Sequence, residues 1–237
     1  MKKGLSIMKD PIMKHYVPDT DWFEYSSLHK MLKTYSCVYI KPDSGNKGTG
    51  IIRVKKLNSK ECEISYKKTT SRSSPDKLYS RIKKILKPEK KYIIQQGVDL
   101  ATYQNRPFDV RVVLQKPLGK WRATLMSAKL APHKSSVVTN VAKGAEDRNL
   151  YKLLKGTDQS LNSFAVLRDL MDASHQIAQI LSSHFPLNIL GLDMGIDKKG
   201  KVWFIEANTK PECSGMKRYD GKLYRRYLHA KKIIKKE

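Results

Sequence analysis

The chain has 237 residues, 40% of them hydrophobic and 29% charged, and 47 Lys and Arg against 22 Asp and Glu give it a net charge of +25. That length can bury a core in one domain or two small lobes, and the apolar content is too high for disorder. No apolar run approaches the roughly 20 residues that span a bilayer, and the basic start lacks an apolar signal-peptide core. Cys37, Cys62 and Cys213 are widely spaced with no Cys-x-x-Cys pair, which argues against a disulfide framework or a zinc site and fits a reducing, cytoplasmic setting. The positive excess calls for anionic partners: nucleotide phosphates, an acidic protein, an anionic surface or nucleic acid. With no RNP-type aromatic motif and no zinc finger, nucleic acid is the weaker of these, and solubility alone is the plain alternative.

In chain order, residues 1–36 read as a short lead-in, with a turn at 17–21 and a short helix over 22–32. A strand at 37–41 runs into a Gly-rich loop, 42–50, and strands follow at 51–54 and 62–66. Ser74-Pro75-Asp76 caps a helix to residue 87, with Leu78, Ile82, Ile85 and Leu86 at helical spacing. A strand at 91–95 leads into 96–100, a link between two lobes. Strands at 108–115 and 121–129 pair through the turn Lys116-Pro117-Leu118-Gly119, and 131–160 is a polar loop. A long helix covers 163–184 on the stripe Phe164, Leu167, Leu170, Met171, Ser174, Ile177, Ala178 and Leu181. Strands 190–196 and 202–208 close a hairpin across Asp197-Lys198-Lys199-Gly200. The division expected is a first lobe at 37–97, a second at 98–216 and a basic C-terminal tail at 217–237.

The hairpin carries the strongest chemical signal. Glu206 and Asn208 are two apart, so they share a strand face, and Asp193 can sit across from them. Three oxygen donors in an apolar setting suit Mg²⁺, which also binds substrate phosphates; a buried polar cluster held by hydrogen bonds is the alternative. Lys41, at a strand end, precedes Gly45, Gly48 and Gly50. A lysine charge and glycines that let backbone N–H groups approach suit a phosphate, although the spacing is neither a Walker A nor a Rossmann fingerprint and a plain turn would look similar. Asp109 and Arg111 also share a face. They are either a structural ion pair or an acid for a ribose hydroxyl beside a cation for phosphate. Lys129 ends the neighbouring strand and could reach the same cleft.

The order of these pieces resembles the ATP-grasp ligases, and more closely the YheC/YheD family of endospore-coat-associated proteins. The resemblance is carried by Tyr39-Ile40-Lys41-Pro42 with its glycine loop, Tyr92-Ile93-Ile94-Gln95-Gln96-Gly97, Arg106-Pro107-Phe108-Asp109-Val110-Arg111, Val138-Thr139-Asn140, and Asp193 followed by Trp203 through Pro211. It implies an α+β ATP-grasp fold, two lobes with antiparallel sheets and ATP between them. It implies that Lys41 contacts the α/β-phosphates under the loop of Gly45, Gly48 and Gly50, and that Gln95, Gln96, Gly97 and Val98 recognise adenine through backbone amides. By similarity to RimK-type glutamate ligases, Asp109 binds the ribose and Asn140 lies near the phosphates. By similarity to D-alanine–D-alanine ligase, Asp193, Glu206 and Asn208 hold Mg²⁺, with Mn²⁺ able to replace it. Arg111 and Lys129 fall where cations steady the transferring phosphoryl group.

The implied activity is carboxylate–amine ligation through an acyl phosphate, on an amino acid or peptide. The alternative is a catalytically silent, nucleotide-binding structural or spore-associated protein. Few residues precede Lys41, so the domain that in such enzymes helps hold the acceptor is expected to be missing or reduced to a stub. That expectation and the charge together suggest an acidic peptide or protein as substrate or partner, met by Lys217, Arg218, Lys222, Arg225 and Arg226, which follow the metal strand.

Overall fold

Alternating apolar residues at Val38/Ile40, Ile52/Val54 and Cys62/Ile64 are what a sheet with one buried face requires, and they build the first of two units, Pro18–Val98. In this computed structural model the described residues are 2–43, 49–67, 69–134, 136, 144–213 and 215–236, with 2 and 3 described by backbone only. The sheet of the first unit is antiparallel, in the order β1 (Thr20–Trp22), β6 (Tyr92–Gln96), β2 (Cys37–Pro42), β3 (Ile52–Lys56), β4 (Cys62–Tyr66) and β5 (Thr69–Ser73). The register sets Val38 opposite Val54, Val54 opposite Ile64, and Ile40 between Ile52 and Ile94. Leu28 and Met31 of α2 (Tyr25–Thr34) and Leu78 and Ile82 of α3 (Pro75–Ile85) join the same core. Each such fully buried Leu or Ile contributes about 1.5–3 kcal/mol. Pro75 starts α3 one residue after Ser74, where its missing N–H costs nothing.

Gly97, just past β6, shows why this chain needs glycine there. A Cβ would sit 2.8 Å from the Cys37 carbonyl oxygen and 2.8 Å from its Sγ, while the Gly97 amide donates to that carbonyl at 2.8 Å. Gly97→Ala is therefore expected to push β2 and the end of β6 apart and to cost about 1–3 kcal/mol of stability. A chemical denaturation midpoint unchanged by the substitution would contradict this packing.

The second unit is Asp99–Glu237 with Lys2–Val17. Its antiparallel sheet has the order β10 (Glu146–Arg148), β9 (Arg122–Leu130), β8 (Arg106–Gln115), β11 (Ile189–Ile196) and β12 (Val202–Asn208), with β7 (Thr102–Tyr103) beside β8. Val110, Val112, Leu114, Leu190, Leu192, Met194 and Phe204 face a core shared with Val166, Leu170, Ile177 and Leu181 of α5 (Ser163–His184). Asn162 caps α5, its Oδ1 accepting the Ala165 amide at 3.1 Å. Helix α1 (Lys2–Met8) buries Ile7 in this core too, so part of the expected lead-in belongs to each unit.

The β11–β12 hairpin is closed by Asp197. Its Oδ1 accepts the amides of Lys199 and Lys201, its Oδ2 accepts the Trp203 indole N–H at 2.9 Å, and Gly200 takes φ +85°. Two expectations from sequence are corrected here. The stretch expected as a polar loop contains β10 and α4 (Leu150–Lys155), whose Leu150, Leu153 and Leu154 are buried. The stretch expected as a tail contains α6 (Met216–Tyr219) and α7 (Gly221–Ile234), and α7 buries Tyr227 and Ala230. No helix among the described residues is long and apolar enough to cross a membrane.

Candidate active site

The first sheet turns one face to helices and carries polar side chains on the other. The second packs α5 on one face and on the other carries polar side chains beside an apolar patch covered by α6 and α7. In the first unit that other face holds Tyr39, Lys41, Arg53, Ser65 and Gln95, since Tyr39 lies opposite both Gln95 and Arg53, and Arg53 opposite Ser65. Lys41 Nζ donates to Gln95 Oε1 at 2.7 Å, and Gln95 Nε2 donates to Thr20 Oγ1 at 2.8 Å. The ammonium is thus held at the end of β2, beside the start of the glycine-rich loop. Burial pushes the Tyr39 hydroxyl up to about 12, with the nearby Arg53 opposing, so it is a neutral hydrogen-bonding group at physiological pH.

Gln95, Gln96 and Gly97 do not offer a row of open amides. The Gln96 amide donates to the Asp19 carbonyl at 2.8 Å and that of Gly97 to Cys37. Gly50 takes φ +81°, a left-handed turn that suits glycine; Gly45, Gly48 and Asn140 lie outside the described residues.

In the second unit the polar face is built by four strands. Asp193 on β11 lies opposite Glu206 on β12 and opposite Arg111 on β8. Asn208 lies opposite Gly191, two residues along on the same face. A β-bulge between Asp193 and Met194 interrupts the β11–β12 register there, the device by which strands re-aim side chains next to sites.

Arg111 grips Asp193 with two parallel bonds, Nε to Oδ1 at 2.5 Å and Nη2 to Oδ2 at 2.9 Å, and Lys129 Nζ lies 3.8 Å from the same Oδ1. The Arg111 and Lys129 side chains are 13% exposed and that of Asp193 is 20% exposed, so this forked pair is largely shielded from water. Burial pulls the Arg111 pKa down, and the Asp193 and then the Asp109 carboxylates outweigh it, leaving the net shift upward.

Asp109, 8% exposed, faces Lys129 and Gly195 across the strands. Of the two alternatives read for Asp109 and Arg111, an ion pair or separate ligand contacts, the structure shows Arg111 bonded to Asp193 across the strands. Directly opposed residues on adjacent strands approach more closely than neighbours two apart on one strand.

Glu206 and Asn208 are exposed, and Asn208 Oδ1 accepts the Lys210 amide at 2.9 Å, which folds the chain back after β12. Pro211 then lies over Gly191, where a Cβ would stand 2.6 Å from the proline's own. Cys213 follows, buried beside Tyr227. Burial holds its thiol above the usual value, against the Arg111 charge, so it is not an activated nucleophile. Reading the sequence alone missed Pro211, Cys213 and Tyr227, and also Ser127, which lies opposite Arg111 and donates to Asp147 at 3.0 Å. The glycine and proline at 191 and 211 were the only cue, and their meeting depends on the fold.

Two antiparallel sheets with flanking helices and this order of polar residues define an ATP-grasp protein. The chain belongs to the YheC/D-like ATP-grasp family, whose profile matches residues 5–234. It is 30% identical over 214 residues to the endospore coat-associated protein YheD of Bacillus subtilis (strain 168), covering 86% of this chain and 46% of that protein. It is 24% identical over 213 residues to the endospore coat-associated protein YheC of the same organism, covering 86% and 57%. The chain thus spans about half the length of these relatives. In fold it is similar to an L-amino acid ligase from Bacillus licheniformis (TM-score 0.54, 14% identity, 92% of this chain and 42% of that one). It is also similar to the ATP-grasp ligase PsnB complexed with minimal precursor (TM-score 0.51, 13% identity, 91% and 53%).

Proposed function

We propose that this chain is an ATP-dependent carboxylate–amine ligase that activates a carboxylate of an amino acid or peptide as an acyl phosphate. The observation that carries the reading is the second unit's polar face. Two carboxylates, Asp193 and Glu206, stand directly opposite each other with Asn208 beside them, and Arg111 and Lys129 lie on the same face. Like charges opposed across a strand pair destabilise a sheet unless a cation offsets them. Arg111 and Lys129 do so at Asp193, and the two carboxylates with Asn208 would also suit a hard divalent cation. The donor set is all oxygen, which fits Mg²⁺ or Mn²⁺. When bound with ATP, the metal would neutralise charge on the phosphates.

The chain's own residues supply the rest. Asp193, which Arg111 holds by two hydrogen bonds, would bind the cation together with Glu206 and Asn208. Arg111 and Lys129 provide fixed positive charge toward a transferring phosphoryl group without reorganising, which is where such sites obtain most of their rate. In the first unit Lys41 supplies a point charge to the nucleotide phosphates, and Gln95 orients it through the 2.7 Å bond. With the Gln96 and Gly97 amides already engaged, adenine is recognised in this stretch by carbonyl oxygens accepting from its exocyclic amine. Asp109 accepts from a ribose hydroxyl.

Lys41→Ala tests the nucleotide half of this reading. The substitution is expected to weaken ATP binding by at least about tenfold while leaving adenosine binding within about twofold, because only the phosphates feel a charge-assisted bond. Equal losses for both ligands would mean that β2 itself was disturbed. Turnover is tested by ADP release from Mg-ATP with amino acids and peptides offered singly and in pairs. Release that requires both a carboxylate and an amine supports the ligase. Mg-ATP binding with no release under any pair would leave a nucleotide-binding structural protein, the role that best suits the coat-associated names of the relatives.

A further inference from the structure

We propose that the outward face of α7 is a docking track for an acidic polypeptide segment, the form in which the ligase's substrate or its carrier is presented; the substrate part of this rests on the reading above. Helix α7 buries Tyr227 and Ala230 and leaves Lys222, Arg225, Arg226, His229 and Lys232 exposed. At 3.6 residues per turn these five recur on one side of the helix, a stripe about 15 Å long. No Asp or Glu occurs between 221 and 236. The carboxylate just before the helix, Asp220, is committed as its N-cap, accepting the Leu223 amide at 2.9 Å.

The stripe is unfavourable for the helix that bears it. Lys222 stands in the first turn, beside the positive end of the helix dipole. Lys222 and Arg226 form a like-charged pair four residues apart with no acid to offset them. Among the described residues none of the five makes an ion pair. A helix selected only for stability would place acids in these positions, so the arrangement points to an anion that arrives from outside.

The position of α7 says which polyanion. Tyr227 and Met216 pack against Val113 of β8 and Leu125 of β9, and Val113 is two residues from Arg111 on the same strand face. The helix that bears the stripe is therefore seated on the same sheet face as Arg111. A stripe about 15 Å long matches four or five residues of an extended peptide. Its only ring is the His229 imidazole, and it carries no Phe, Tyr or Trp on which bases could stack. The apolar side that a membrane-surface helix would insert is already buried against the sheet. An acidic peptide satisfies all three conditions, and long-range attraction would draw it in.

The test uses the full chain, without nucleotide, and a fluorescein-labelled oligoglutamate peptide read by anisotropy at low and high salt. The triple reversal Arg225→Glu, Arg226→Glu and Lys232→Glu is expected to weaken binding by at least about tenfold at low salt, the difference shrinking as salt is added. Lys77→Glu, Lys83→Glu and Lys84→Glu on α3, with the same change in net charge, should weaken it by less than about twofold. Circular dichroism would confirm that both variants keep their helices. Equal loss in the two variants would reduce the effect to net charge and overturn the proposal, as would no peptide binding by the parent chain. Tighter binding of an oligothymidylate than of the peptide would overturn it in favour of nucleic acid. If Mg-ATP fails to raise the melting temperature while peptide binding still separates the two variants, the nucleotide reading falls and the docking track stands.

Discussion

Arg111→Met is expected to lower stability by about 2–3 kcal/mol, the largest loss predicted for any single side chain of the polar face. The reason is asymmetric. The substitution keeps most of the apolar stem but strips Asp193 of both hydrogen bonds, at 2.5 and 2.9 Å. A carboxylate only 20% exposed is then left opposite another carboxylate, Glu206. Removing both charges with Arg111→Met and Asp193→Asn should recover most of the loss, because no uncompensated anion remains. Added Mg²⁺ alone should raise the melting temperature of Arg111→Met more than that of the parent, since the cation would then meet Asp193 without competing with a guanidinium. A stability within about 0.5 kcal/mol of the parent, the range of an ordinary surface substitution, would remove Arg111 as the clamp on Asp193.

The second large effect concerns the ligand. A ligand present at about 100 times its Kd stabilises the folded state by roughly 2.7 kcal/mol, which is a readable shift in melting temperature. Glu206→Gln is expected to abolish most of that shift for Mg-ATP. The amide can supply only one weak oxygen where a carboxylate supplied a charge. Glu206 is exposed at the end of β12, so the apo protein should melt close to the parent. An unchanged Mg-ATP shift in this variant would remove Glu206 from the proposed metal site.

The parts of the fold that were readable from sequence are those where one local signal agreed with the global packing. The α5 span was readable because its apolar stripe coincides with the buried residues Leu170, Ile177, Ala178 and Leu181. The β11–β12 hairpin was readable because its turn chemistry and strand pattern point the same way. Strands β1 and β5 were not read, for physical reasons: Thr20–Trp22 and Thr69–Ser73 are short edge strands whose residues are mostly exposed, so they show no apolar alternation. Helix α7 was hidden because the residues that bury it are a tyrosine and an alanine among cations. Helix α4 did carry a signal, leucines at 150, 153 and 154 behind the cap Asn149, within a stretch whose surroundings are polar.

The same distinction holds at the candidate site. That Asp193 can lie across from Glu206 follows from strand periodicity. Which partner Arg111 takes does not, because the choice between Asp109 and Asp193 is fixed by the pairing of β8 with β11, strands more than seventy residues apart in the chain. Likewise, the meeting of Gly191 and Pro211 depends on the fold-back at Asn208 and not on any local motif.

The most direct test of the ligase reading is to follow oxygen. Once a carboxylate and amine that drive ADP release have been found, the carboxylate is supplied with a heavy-oxygen label and the released phosphate is examined by mass spectrometry. Activation through an acyl phosphate requires that one carboxylate oxygen leave with the phosphoryl group, so labelled phosphate should form in step with amide product and neither should form with Glu206→Gln. Unlabelled phosphate accompanying full ADP release would mean that water, not the carboxylate, takes the phosphoryl group, and the chain would then be an ATPase and not a ligase.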